Sequence, residues 1–176
     1  MIDNPTLEQI VEQYPLVAFS HYLAGRVEVL LAIANEITEN LDVGFSDPST
    51  DFGRIQRAES LMWLWMLGAY EVVRTMCQAK ACFNSQILDE LKHLKTLLSA
   101  VRMPAAKMEK LGFKIPVTSN RSPAGLNISR RDLLVNDPDS TDIFARDLLA
   151  EFDRVFSSIK PADILGRHED AYISNP

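Results

Sequence analysis

Histidine and cysteine are almost missing from this chain, with three and two among 176 residues. Cys77 and Cys82 stand five apart in a helix-like stretch. That spacing puts them on different helix faces and matches neither a redox pair nor a zinc knuckle. Reduced thiols are the expectation, and with them a cytoplasmic location. The first residues, MIDNPTLEQIVEQ, agree: they carry acids where a secretory leader has a basic start and an apolar core. Glycine is scarce too, and none of the seven belongs to a phosphate-cradling loop. No serine sits in a glycine-flanked nucleophile elbow. Repeats and low-complexity tracts are missing. The most apolar stretch, LMWLWMLGA from Leu61 to Ala69, is far shorter than the roughly 20 residues a membrane helix needs. It is also hemmed in by Arg57, Glu59, Glu71 and Arg74.

What is present is the composition of a globular chain, 47% hydrophobic and 24% charged, in the size range of one domain spanning residues 1–176. Its net charge of −6 is unevenly spread. Residues 1–51 hold nine acids and one base, residues 52–131 thirteen bases and five acids, and residues 132–176 ten acids and four bases. Acidic helices packing beside basic ones would account for this, their rims complementing one another.

Helical periodicity dominates. Asn4 and Pro5 form an N-cap and first helical position for a short helix ending near Gln13, before Pro15. From Pro15, Leu23, Val27, Leu30, Ala34, Ile37 and Leu41 make one apolar stripe on a helix of about 28 residues, stopped near Gly44. After the turn-rich GFSDPST, with Ser49, Thr50 or Asp51 as cap, comes the most regular stripe: Ile55, Ala58, Met62, Trp65, Ala69, Val72, Met76, Ala79 and Phe83. Asn84 or Ser85 caps a third long helix carrying Ile87, Leu91, Leu94, Leu98 and Val101. Pro104 should end or bend it, with room for a further turn to Leu111. Periodicity then fails over about 112–139, where short runs flank the turn-rich NRSPAG and Pro116 confines the first run to a sheet edge. A fourth helix starts at Ser140, Thr141 or Asp142 and packs through Ala145, Leu148, Leu149, Phe152, Phe156 and Ile159. A last short helix begins at Pro161 and uses Ile164, Leu165 and Tyr172. The expected fold is therefore all-α: an antiparallel bundle of four long helices, short terminal helices, and a hairpin-like or irregular excursion between helices three and four.

Chemistry-bearing motifs are few. A di-iron bundle needs two Glu-x-x-His pairs. Glu90 and His93 supply one, on the flank of their helix, so no metal and no cofactor is expected. Small helical-bundle ribonucleases pair a histidine with an arginine four to six residues before it, a cation for the phosphate and an imidazole for the proton. None of His21, His93 and His168 has such an arginine.

Three candidate sites remain. Glu28, Arg57, Glu71, Arg74 and His21 are ionisable residues near apolar stripes, able to form a charged site between helices. The simpler expectation is that Glu71 pairs with Arg74 or with an arginine of an adjacent helix. Lys107, Lys110, Lys114, Arg121, Arg130 and Arg131 form a basic set suited to a small anion or an acidic protein. With only Phe113 beside it for stacking, nucleic acid is a poor fit, and a nucleic-acid-associated regulator using 107–131 ranks third. Trp63, Met66 and Leu67 lie off the stripe of helix two, which is apolar all round and must be covered all round. They are the expected interface of a homodimer. Association through that interface, without catalysis, is the leading expectation, and an enzyme or small-ligand bundle is the alternative.

Overall fold

The computed structural model describes residues 5–46, 49–107, 109, 125–135 and 141–173. Helix α1 (Leu7–Gln13) is capped by Thr6, whose hydroxyl accepts from the Gln9 amide while the Gln9 side chain accepts from the Thr6 amide. The cap is thus two residues later than Asn4, which lies outside the described residues.

The long helix expected from Pro15 is two pieces. Pro15–Val17 form a 3-10 turn, and α2 (His21–Gly44) starts anew with the Ser20 hydroxyl accepting from the Leu23 amide. The extended backbone of Ser20 separates them. Gly44 ends α2 because the chain comes back on it: a Cβ there would lie 2.7 Å from the Ile55 side chain. Asp51 caps α3 (Phe52–Gln78), accepting from the amides of Gly53 and Arg54. Asn84 caps α4 (Ser85–Lys107), accepting from the Ile87 amide. Pro104 does not stop α4, which runs on to Lys107 with the proline ring buried.

Every stripe residue expected on α2, α3 and α4 is buried, including Ala79 and Phe83, which lie beyond the end of α3 beside a 3-10 turn at Lys80–Cys82. Together with α5 (Ala145–Ser158) they form one continuous hydrophobic core. Burying each large aliphatic or aromatic side chain contributes about 1.5–3 kcal/mol, so these stripes carry most of the favourable energy of folding. Contacts along the α2–α3 seam pair rising numbers with falling ones: Arg54 with Asn40, Arg57 with Glu36, Trp65 with Leu30. The two helices therefore run in opposite directions. Trp63 with Ala105, then Tyr70 and Glu71 with Arg102, show the same for α3 and α4. Helix α5 touches α4 and α2, and its Phe152 meets Trp65 edge-on at 5.1 Å across the core. Covered by α2, α4 and α5, α3 can be apolar on several faces.

A small antiparallel hairpin precedes α5, with β1 (Gly125–Asn127) pairing β2 (Asp132–Leu134). Its turn is Ile128–Arg131, not NRSPAG, most of which lies outside the described residues, as do Pro116 and Phe113. The Asn127 side chain accepts from the Arg130 amide and the Ser129 hydroxyl, closing the turn. Arg131 takes φ 53°, the left-handed conformation the turn needs. The hairpin also moves the start of α5 away from Thr141 and Asp142. The Ile143 carbonyl accepts from the Val135 amide and Phe144 bridges Leu134, so these residues are spent in strand-like pairing.

The C-terminal segment straps the turn between α3 and α4. The Leu165 amide donates to the Cys82 carbonyl, the Asn84 amide to the Asp163 carbonyl, and the His168 amide to the Phe19 carbonyl. Pro161–Asp163 form only a 3-10 turn, and α6 is Asp170–Ile173. Ile164 packs against the core while Leu165 is exposed. The side chain of Tyr172 lies outside what is described.

Candidate functional site

Two interior glycines open a groove between α2 and α3. A glycine inside a helix costs about 1 kcal/mol against alanine, which marks such positions for a packing or functional reason. At Gly68 a Cβ would lie 3.1 Å from Leu30 Cδ2, so its absence lets α3 approach α2. At Gly25 a Cβ would meet nothing within 4 Å. The space above Gly25 is open, and it belongs to a groove of about 620 Å³ lined by His21, Tyr22, Arg26, Val29 and Leu30 of α2 and by Gly68, Glu71 and Val72 of α3. Its floor is apolar and its rim is charged. Tyr22 (72% exposed) and Val29 (57%) leave apolar surface facing solvent at its edge.

Of the expected interhelix set, the groove brings together His21 and Glu71. Arg74 joins through Glu71, with its Nε and Nη2 2.9 and 2.8 Å from Glu71 Oε2. The other oxygen, Oε1, faces Arg102 Nη2 of α4 at 3.6 Å. Arg102 in turn lies over the Tyr70 ring, 4.7 Å from its centroid. Glu71 thus has both an arginine three residues along its own helix and one from the adjacent helix. Glu28 is exposed and lines a different hollow, with Tyr14, Ala24, Leu31 and Phe156. Arg57 is exposed and paired with Glu36 at 2.9 Å. Neither belongs to the groove. Periodicity could not single out Tyr22, Arg26 and Arg102, although the two mid-helix glycines were a visible signal.

The expected interface residues divide. Met66 is buried in the chain's own core and Leu67 is half-buried. Trp63 is 47% exposed, its indole N–H donating to the Ala105 carbonyl at 3.0 Å. Leu64, next to it, is 54% exposed.

Only half of the basic set, Lys107, Arg130 and Arg131, lies among the described residues. Arg130 pairs with Asp147 at 2.9 Å and covers the Phe144 ring at 3.9 Å. Arg131 and Lys107 are exposed, and Lys110, Lys114 and Arg121 lie outside the described residues. The uneven charge along the chain is partly internal complementarity, seen in Arg57 with Glu36 and Arg130 with Asp147. Likewise Glu90 is engaged by Arg154, which also holds Glu151 and keeps that carboxyl below the usual carboxylate range. His93 is exposed beside them. Among the described residues no three His, Cys, Asp or Glu side chains converge as metal ligands. Nor, among those residues, is any helix long and apolar enough to cross a membrane.

No family model, curated protein or solved structure matches the chain.

Proposed function

We propose that the protein is a binding bundle without catalytic activity, whose α2–α3 groove receives the apolar part of a ligand, inside a cell where both thiols stay reduced. The observation that carries this reading is the groove over Gly25: about 620 Å³, apolar in its floor and charged at its rim. Small-molecule sites combine this size range with a few placed polar groups. Here Arg26 and His21 stand on the α2 side and Glu71 on the α3 side. Titration with a neutral apolar dye, N-phenyl-1-naphthylamine, tests it. Dye fluorescence should rise with the wild-type protein and fail to rise with Gly25→Phe, whose ring fills the groove. An equal rise with both proteins sinks the reading.

Exposed Trp63 and Leu64 favour a second reading, association of two copies through the outer ridge of α3. Sedimentation decides it: a dimer at micromolar concentration that Trp63→Glu converts to monomer supports it, and a wild-type monomer rules it out.

A further inference from the structure

We propose that Arg74 and Arg102 form a carboxylate-recognition pair which Glu71 occupies in the free protein, and that a free single-chain amphiphile in the α2–α3 groove puts its own carboxylate in Glu71's place. The inference rests on the groove being a ligand site. Glu71 lines the groove and, among the described residues, is the acid that stands between Arg74 and Arg102. Its carboxylate satisfies them unequally. Arg74 engages Oε2 through two nitrogens at hydrogen-bond distance, whereas Arg102 Nη2 stands 3.6 Å from Oε1, too far for a hydrogen bond.

Among the described residues Arg102 is otherwise poorly supplied with acceptors. Its Nε is buried and makes no hydrogen bond among the described residues, and its Nη1 reaches only the Met103 sulfur at 3.7 Å. The Tyr70 ring holds the guanidinium plane in position without offering an oxygen. A guanidinium has five donors in a rigid fork that suits a carboxylate bidentately. Glu71, tethered to the same helix as Arg74, leaves that fork half used. A carboxylate free of the chain can approach Arg102 without this tether, while Glu71, 42% exposed in its side chain, turns to solvent.

Charge across the groove favours the same ligand. Opposite Glu71, Arg26 has the Tyr22 hydroxyl at 2.6 Å and the Tyr22 ring as its partners among the described residues, and no carboxylate. Arg26 at the rim and, behind Glu71, Arg74 and Arg102 therefore outnumber that carboxylate. Val29, Leu30 and Val72 supply the floor on which an alkyl chain would lie. Acid at one end and hydrocarbon along the rest is the chemistry that complements this arrangement.

Isothermal titration with octanoate, octan-1-ol and acetate tests the proposal on wild type, Glu71→Gln, Glu71→Ala and Arg102→Gln, each checked for an intact helical spectrum. Glu71→Gln should strengthen octanoate binding about 5–20-fold and leave octanol unchanged, since only the competing carboxylate is removed. Glu71→Ala gives the same test if the amide perturbs the arginines. Arg102→Gln should reduce octanoate affinity to that of octanol. Acetate, lacking the chain, should not bind measurably. In wild type, octanoate should shift the Arg102 Nε–H proton resonance and octanol should not. If both Glu71 variants bind octanoate and octanol as wild type does, the displacement is wrong and the groove reading stands. If neither amphiphile binds any variant, the groove reading falls and takes this inference with it.

Discussion

The indole N–H of Trp65, fully buried, donates to the backbone carbonyl of Leu30 on the facing helix at 3.0 Å. It is a polar tie across the most extensive seam of the bundle, and the same ring meets Phe152 edge-on. Trp65→Phe removes the donor and leaves a void, a combined loss of about 2–4 kcal/mol. Urea denaturation should show it, and a variant within about 0.5 kcal/mol of wild type would contradict the assignment.

Gly25 and Gly68 should respond differently to alanine. At Gly25 nothing opposes a methyl group, so Gly25→Ala should stabilise by about 0.5–1 kcal/mol through helix propensity alone. Gly68→Ala gains the same propensity but presses on the Leu30 methyl, so it should fall at least 0.5 kcal/mol behind Gly25→Ala. Thermal melts of the two variants check the order.

Asp132 replaces the cap that α5 lacks. Phe144 at the N-cap position offers no side-chain acceptor, and the buried Asp132 carboxylate instead accepts from the amides of Leu133 and Arg146. Burial pushes its pKa up from the ordinary 3.8, outweighing those hydrogen bonds. The folded state then binds the proton more tightly than the unfolded one. The stability this contributes is fully present below the unfolded value and is lost as pH rises through the folded pKa. Asp132→Asn keeps an acceptor without the charge, so it should be at least as stable as wild type at pH 7 and flatten this part of the pH profile. Asp132→Ala leaves the Arg146 and Leu133 amides without that acceptor and should lose about 1–2 kcal/mol. Denaturation at several pH values from 3 upward distinguishes these outcomes.

The two thiols should be sluggish nucleophiles. Burial raises the pKa of Cys77 despite nearby Lys95 and Lys92, and burial together with Asp170 raises that of Cys82, whose thiol donates to the Arg167 carbonyl. Iodoacetamide at pH 7 should label half-buried Cys77 before buried Cys82, and both far more slowly after folding than in denaturant. Mass spectrometry of the alkylated protein reads this directly, and rapid native labelling of Cys82 would refute it.

The stripes were legible because they depend on a local quantity. At 3.6 residues per turn, Ile55 and Met62 must share a face wherever the helix docks. Asp51 and Asn84 were legible as caps for a similar reason, because a cap bonds two or three residues ahead. The start of α5 was not legible. Its acceptor is Asp132, fourteen residues before Arg146, brought there by a hairpin that holds Ile143 and Phe144 out of the helix. Met66 shows the same limit: periodicity put it off the stripe, and only the presence of helices on several sides of α3 buried it.

The sequence by itself determined an all-α chain, the inward faces of its long helices and the short turns between them, because helix propensity, capping and periodicity act within a few residues. Glu71 with Arg74, one helical turn apart, was legible in the same way, but tertiary structure alone decided which charges meet between helices. Glu71 lies 31 positions from Arg102, and Arg57 lies 21 from Glu36. Which side chains face each other across a seam follows from how far one helix is slid and rotated against its neighbour. That register is set by the packing of whole apolar faces, so the groove over Gly25 came into view only once α2 and α3 were docked.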